Sequence, residues 1–316
     1  MIGPLKSITK SALGLLARRS SWIHETLDQG LTVFVYHDVT DRPAPFSREC
    51  GLALPPRLFE RQVRFIADNF RVISLDQLLG DQIPERAALI TFDDGLRNVF
   101  HEALPILRRM DLPSTVFLNM GPVLGDPFWS ARVVYLCRHV SGFREFAQER
   151  QGALPLEQLY GACSPELVAE WEKRNGEDYL KQLSEYGGLF AAPEDLRQAD
   201  SGGLVTFGNH LYNHYGIRHL PESRLEQEFQ ANADLLSRLR GHRPVFAFPF
   251  GRPAQRHVEQ LLHWGQKRLF TGFSRINSDR EAAVLHRLSL TPWHHQPSRI
   301  WYEIAQAARN GHGETG

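Results

Sequence analysis

Residues 87–95 read Ala-Ala-Leu-Ile-Thr-Phe-Asp-Asp-Gly, a short and nearly all-apolar run that ends in two carboxylates and a glycine. That pattern predicts a strand over Ala87 to Phe92. Consecutive side chains of a strand point to opposite faces, so two adjacent aspartates reach one site only where the strand stops and the backbone turns, as Gly95 allows. Two neighbouring carboxylates repel one another and are costly to leave unpaired, so a cation beside them explains the pair. The plainer explanation is that one of them caps a helix beginning near Leu96.

Outward from this strand the same kind of run recurs. Strands are predicted at Leu31 to Tyr36, Arg71 to Ser74, Ser114 to Leu118, Leu204 to Phe207, Pro244 to Phe248, Arg268 to Phe273 and Leu285 to Leu290. Helical periodicity falls between most of them, most clearly over Arg57 to Asn69, Leu96 to Met110 and Pro221 to Arg240. Such alternation is the mark of βα units and a parallel sheet. From Asp126 to Asp200 the strand signal disappears, and the segment reads as short helices, one opened by Ser164-Pro165-Glu166 as cap, first-turn proline and first-turn acid. Removing those 75 residues leaves 316 − 75 = 241, close to the roughly 250 of a barrel of alternating strands and helices. The expected fold class is α/β, a (β/α) barrel over residues 26–316 with a helical insertion over 126–200, preceded by a basic helix over 1–25. In such a barrel the chemistry gathers at the carboxyl ends of the strands.

Composition narrows the function. With 42% apolar and 23% charged residues the chain builds a real core. Thirty-six basic residues balance thirty-six acidic ones, so no global field recruits nucleic acid and none is expected as a partner. The three cysteines form no CxxC pair, which argues against a disulfide framework or a thiolate zinc site and for a reducing compartment. The apolar run Ser11 to Ala17 is closed by Arg18-Arg19, too short to span a membrane and a poor signal peptide. The reading is a cytoplasmic protein whose chain starts near Met1. Residues 1–20 carry Lys6, Lys10, Arg18 and Arg19 without an acid, and Leu5, Ile8, Leu13 and Leu16 can form an apolar stripe. Such a helix suits peripheral contact with the inner face of a membrane, against the plainer reading of an ordinary surface helix.

Three further strand ends carry reactive groups. The strand Leu204 to Phe207 runs into Gly208-Asn209-His210-Leu211-Tyr212-Asn213-His214. Histidines four apart lie on one face of a helical turn and can converge on one metal. Fourteen histidines make about 0.6 such pairs expected by chance, so position rather than spacing gives the pair its weight. One Asp and two His with open positions suit a catalytic zinc or another divalent ion. Phe248-Pro249-Phe250-Gly251 ends the next strand in a rigid turn whose backbone N–H groups could face an oxyanion. The first strand leaves His37 at the same rim.

In this order, Tyr36-His37, Thr91-Phe92-Asp93-Asp94-Gly95, Ala103 to Leu107, His210 to His214 and Phe248 to Gly251 resemble the polysaccharide deacetylases of carbohydrate esterase family 4, the NodB homology domain. The resemblance covers all but the insertion and the termini. It implies a distorted (β/α) barrel that removes N-acetyl or O-acetyl groups from sugars with one divalent metal, zinc by expectation. It implies Asp93 as base and Asp94, His210 and His214 as ligands. The Tyr-His-Asp opening is similar to the poly-N-acetylglucosamine deacetylase branch, in which the first-strand histidine acts as acid. His286 is the rival to His37 for that role. Leu211 stands where many relatives carry Ser or Thr, so a loop-fixing hydrogen bond is missing or replaced. Ala247 stands where other branches place an arginine that holds the catalytic aspartate; Arg287 resembles the late arginine that would supply that contact, though its ordinary reading is an exposed strand charge. Pro249 and Phe250 would form the substrate and oxyanion wall. The implied partner is an acetylated glycan of a bacterial surface polysaccharide or its precursor. The alternatives are an amidase or deformylase acting on a small or lipid-linked sugar amide, and a metal-free carbohydrate-binding descendant.

Overall fold

The computed structural model describes residues 4–311, with side chains from Thr9 onward; the outermost residues of the expected 1–25 and 26–316 segments, and the side chains of Leu5, Lys6 and Ile8, lie outside the described residues. Among the described residues eleven strands form: β1 Leu31–Tyr36, β2 Asp38–Val39, β3 Ala53–Leu54, β4 Arg71–Val72, β5 Ala87–Phe92, β6 Ser114–Leu118, β7 Val205–Asn209, β8 His242–Ala247, β9 Arg268–Phe270, β10 Val284–Leu285 and β11 Leu288–Ser289. Nine of them make one parallel sheet in the order β10-β9-β8-β7-β6-β5-β1-β11, with β4 added beside β5. β2 and β3 pair separately.

The two ends of this path, β10 and β11, are separated in sequence only by His286 and Arg287. The sheet therefore curls until its edges meet at one short segment, which pairs with β9 through Leu285 and with β1 through Leu288. Where one strand was predicted over Leu285 to Leu290, the chain changes partner midway. Asn277 fills the join: its Nδ2 donates to the carbonyls of Leu31 and His286, each at 3.0 Å, and its Oδ1 accepts from the His286 N–H. The fold is thus a curled, barrel-like parallel sheet wrapped by helices.

Strand alternation sorts every side chain. Leu31, Val33, Leu89, Phe117, Val245, Ala247, Phe270 and Leu285 pack inside the curl. Phe34, Tyr36, Ile90, Phe92, Val116, Phe207 and Leu288 face the surrounding helices. Gly208 lies on the inner parity, and only a glycine fits there, because a Cβ would meet the Phe117 ring at 2.5 Å. Extending the inner parity beyond the strand ends points His37, Asp93, His210 and Arg287 into the mouth of the curl.

The predicted helix Leu96 to Met110 is interrupted. Residues Val99–Ala103 form a wide π-type turn, with Leu104 N–H donating to Val99 O, before a regular helix runs over Leu104–Arg109. Pro105 lacks an N–H and its ring clashes with the carbonyl four residues back, which opens the helix at that point.

The segment between β6 and β7 contains helices at Trp129–His139, Phe143–Gln151, Leu156–Ala162, Pro165–Asn175, Leu180–Gly187 and Pro193–Ser201. The first five share a core of their own, built on Trp129, Val133, Leu136, Phe143, Leu159, Trp171 and Tyr186, with Phe46 inserted from the helix Pro45–Glu49. At the amino end the helices Pro4–Ala17 and Ser21–Gln29 follow one another. The first packs on the helix Pro297–Gly311 so closely that a Cβ on Gly14 would sit 1.7 Å from the Ser298 carbonyl. Among the described residues no helix is long and apolar enough to cross a membrane.

Candidate active site

At the carboxyl ends of the strands lies a cavity of about 490 Å³ that includes His37, Asp93, Asp94, His210, His214, Phe250 and Arg287 in its lining. Asp93 arrives there by strand parity alone. Arg287, predicted in its ordinary reading to be an exposed strand charge, is 3% exposed. Its two terminal nitrogens donate to the two oxygens of Asp93, each at 2.7 Å, and its Nε donates to the Thr271 carbonyl. It lies inside because the chain changes sheet partner beside it and its parity is inward. Burial works to raise the Asp93 pKa, but the charges of Arg287, His210 and His37 outweigh it and hold the carboxyl well below the usual carboxylate range.

Asp94 has the opposite parity and reaches the cavity only because the backbone turns through left-handed conformations at Asp94 (φ 73°) and Gly95 (φ 81°). Its Oδ1 lies 3.6 Å from His210 Nε2 and 3.3 Å from His214 Nε2. The three ligand atoms are within 4.8 Å of one another and all three residues are buried. Asp94 Oδ1 has no hydrogen-bond partner, and the Asp93 oxygens go to Arg287, so the helix-capping explanation of the pair fails. Burial pushes the His214 pKa down to about 3, leaving the neutral imidazole that a metal requires. Burial raises and the two imidazoles lower the Asp94 carboxyl, with a net lowering that keeps it ionised.

The two histidines do not sit on a helical turn, as their spacing predicts. Residues 210–216 are irregular loop, with left-handed φ of 64° at both Leu211 and His214. Asn side chains hold that loop. Asn209 Oδ1 accepts from Leu211 N–H, Asn119 Nδ2 donates to the carbonyls of His210 and Leu211, and Glu228 accepts from both the backbone and the side chain of Asn213. The Nδ1 atoms of both rings are held from behind, which turns each Nε2 toward Asp94. That of His210 donates to the Ala247 carbonyl at 2.7 Å, and that of His214 shares a hydrogen bond with Ser130 Oγ at 2.6 Å. Ser130 belongs to the first helix of the insertion. Leu211 is fully buried in an apolar cluster and offers no side-chain hydrogen bond to the loop.

His37 Nε2 lies 3.9 Å from Asp93 Oδ2. His286 is not among the residues lining the cavity; its Nδ1 is 2.8 Å from Thr271 Oγ1. Phe250 takes a left-handed φ of 58° and sets its ring 5.1 Å from that of His214. Pro249 lines a neighbouring cavity instead, together with Arg218 and Arg252. The insertion adds Ser130, Val134, Arg138, Glu157 and Tyr160 to the wall, and Arg138 Nε donates to Tyr160 Oη at 2.6 Å. None of these five carries a motif; their helices read only as amphipathic, and their inward faces depend on how the insertion docks.

Comparison with known proteins adds an independent line. The family model for polysaccharide deacetylases matches residues 80–268. The chain is similar to YxkH of Bacillus subtilis (strain 168), 28% identical over 112 residues, which are 34% of this chain and 37% of that protein. The match thus spans little more than a third of that relative. Among solved structures it resembles IcaB from Ammonifex degensii, at 20% identity and TM-score 0.58 over 87% of this chain and 97% of that one. It also resembles a de-N-acetylase from Aggregatibacter actinomycetemcomitans, at 16% identity and TM-score 0.57 over 86% and 99%. At these identities the two structures speak for the fold.

Proposed function

The chain belongs to the polysaccharide deacetylase family, and we propose from that premise that it is a metal-dependent hydrolase removing an N-acetyl or O-acetyl group from a sugar of a bacterial surface polysaccharide or its precursor. The observation that carries the reading is the side-by-side arrangement of an Arg287-clamped Asp93 and a buried Asp94, His210, His214 cluster in one cavity. A divalent ion fits the cluster: Asp94 Oδ1 is buried without a hydrogen-bond partner, and both imidazoles are oriented through Nδ1. When bound there, such an ion, zinc in this reading, supplies Lewis-acid polarisation of the acyl carbonyl and acidifies water.

The protein's own groups do the rest. Asp93 is ionised, is fixed in orientation by two guanidinium bonds, and accepts the proton of the attacking water. His37, across from it on the first strand, gives a proton to the departing sugar nitrogen or oxygen. The backbone at Phe250 offers the developing oxyanion a donor. Acetate and the free amino or hydroxyl sugar leave. A cavity of about 490 Å³ accommodates a sugar residue with its acyl group.

Chelation is expected to abolish hydrolysis of acetylated glycans, with zinc or cobalt restoring it; full turnover by protein shown by elemental analysis to hold no metal would refute the mechanism. Ser130→Ala is expected to weaken metal affinity by about 10–100-fold in a chelator-competition titration, while Ser130→Thr, which keeps the hydroxyl, retains it. Equal affinity in all three proteins would show that the Ser130 bond does not orient His214.

A further inference from the structure

Over its described side chains, Thr9 to Ala17, the amino-terminal helix Pro4–Ala17 is built the wrong way round for a helix that only completes a fold. Large apolar side chains ordinarily face the protein and small or polar ones face water. Here Gly14 is pressed against the helix Pro297–Gly311, Ala17 three residues on is buried in the core, and Leu13, Leu15 and Leu16 point out. Leu13 is 45% exposed, Leu15 57% and Leu16 67%, and Trp22 at the start of the next helix is 38% exposed. These are four of the seven large apolar side chains exposed among the described residues, and they fall within ten positions. Gly14 locks the arrangement, because any larger residue would drive the helix off its seat.

The charge of this segment is one-sided. Lys6, Lys10, Arg18 and Arg19 precede Glu25, the first acid in the chain. Lys10 lies over the rings of Trp293 and Tyr302 at 5.1 and 5.3 Å, while Arg18 and Arg19 are exposed beside the leucines. The helix Pro297–Gly311 beneath also carries Glu303, which lines the catalytic cavity. The exposed leucines and the cavity therefore share one supporting helix.

We propose that the exposed Leu13, Leu15 and Leu16 of this helix and the exposed Trp22 at the start of the next, with Arg18 and Arg19 between them in the chain, dock the protein on an anionic lipid bilayer. Leucines enter the boundary of the acyl chains and an indole suits the headgroup level, while guanidinium groups pair with lipid phosphates. A protein partner would need acids matched to two arginines at fixed positions; a bilayer of anionic headgroups needs no such match. The inference stands apart from the reaction proposed above and needs no turnover to be tested.

The test is co-sedimentation of the full chain with vesicles of phosphatidylcholine alone and of phosphatidylcholine mixed with phosphatidylglycerol. Binding is expected only to the mixed vesicles, and to weaken as salt is raised. Leu13→Gln with Leu16→Gln should lower the partition coefficient by about tenfold or more, and Arg18→Glu with Arg19→Glu by a similar factor. All four positions are exposed, so circular dichroism should show both variants folded. Absence of binding to mixed vesicles, or equal binding to both vesicle types, overturns the proposal. So does a self-association, seen by sedimentation velocity without lipid, that the leucine variant abolishes, since the face would then belong to a second copy of the chain.

Discussion

Asparagine in place of Asp93 is expected to lower turnover by about 10²–10⁴-fold, the usual cost of losing a general base, with metal still bound at one equivalent. The amide keeps the shape of the carboxylate and one acceptor for Arg287, but it cannot take a proton. It also leaves the Arg287 guanidinium, 3% exposed and now without a counter-charge, so the variant should unfold at lower temperature. Removing one partner of a buried ion pair costs about 3–5 kcal/mol when no acceptor replaces it, and the retained amide oxygen should hold the loss below that. A lysine in place of Arg287 gives a second view of the same clamp, since it keeps the charge and loses the two-pronged geometry. An Asp93→Asn protein that lost its metal while keeping turnover per bound metal would exchange the roles assigned to the two aspartates.

The second large effect belongs to Asp94→Asn, which should lose metal and turnover together because a neutral amide replaces the one anionic ligand. Thermal unfolding separates this from ordinary damage. A ligand that binds only the folded state stabilises it by mass action, so saturating zinc should raise the melting temperature of the wild-type protein and leave that of the variant unchanged. Without metal the variant should be somewhat less stable than the wild type, because the neighbouring imidazoles favour the ionised Asp94 carboxyl in the fold and a neutral amide forgoes that attraction. A variant that still responded to zinc would remove Asp94 from the ligand set.

Much of this site could be read from the chain because strand alternation is a strict rule. Once Ala87–Phe92 is a strand with Leu89 inside, Asp93 must face the mouth of the curl. The same parity carries His37 and His210 inward from their own strands. Asp94 needed the glycine after it as a clue to the turn. What the sequence could not reveal depends on distant packing. The His210 to His214 spacing suggests a helical turn, yet the buried side chains of Asn119, Asn209 and Glu228 hold the loop open. Arg287 looks like a surface charge until the change of sheet partner beside it turns it inward. Ser130 has no motif at all, since its role arises only when the insertion helix lies against the His214 loop.

The join between β10 and β11 has a consequence for how the protein comes into being. Arg287 and Asp93 are 194 positions apart in the chain, and the residues that bring them together also seal the sheet. During synthesis, which proceeds from the amino end, Asp93 emerges long before its guanidinium partner. A nascent chain can fold β1, β5 and β6, and even the insertion, yet it holds an unclamped carboxylate and an open sheet edge until residues 284–289 leave the ribosome. Closing so long a loop is slow relative to local helix formation. The competence of the site is therefore a late event in the life of each molecule, gated by the same six residues that finish its architecture.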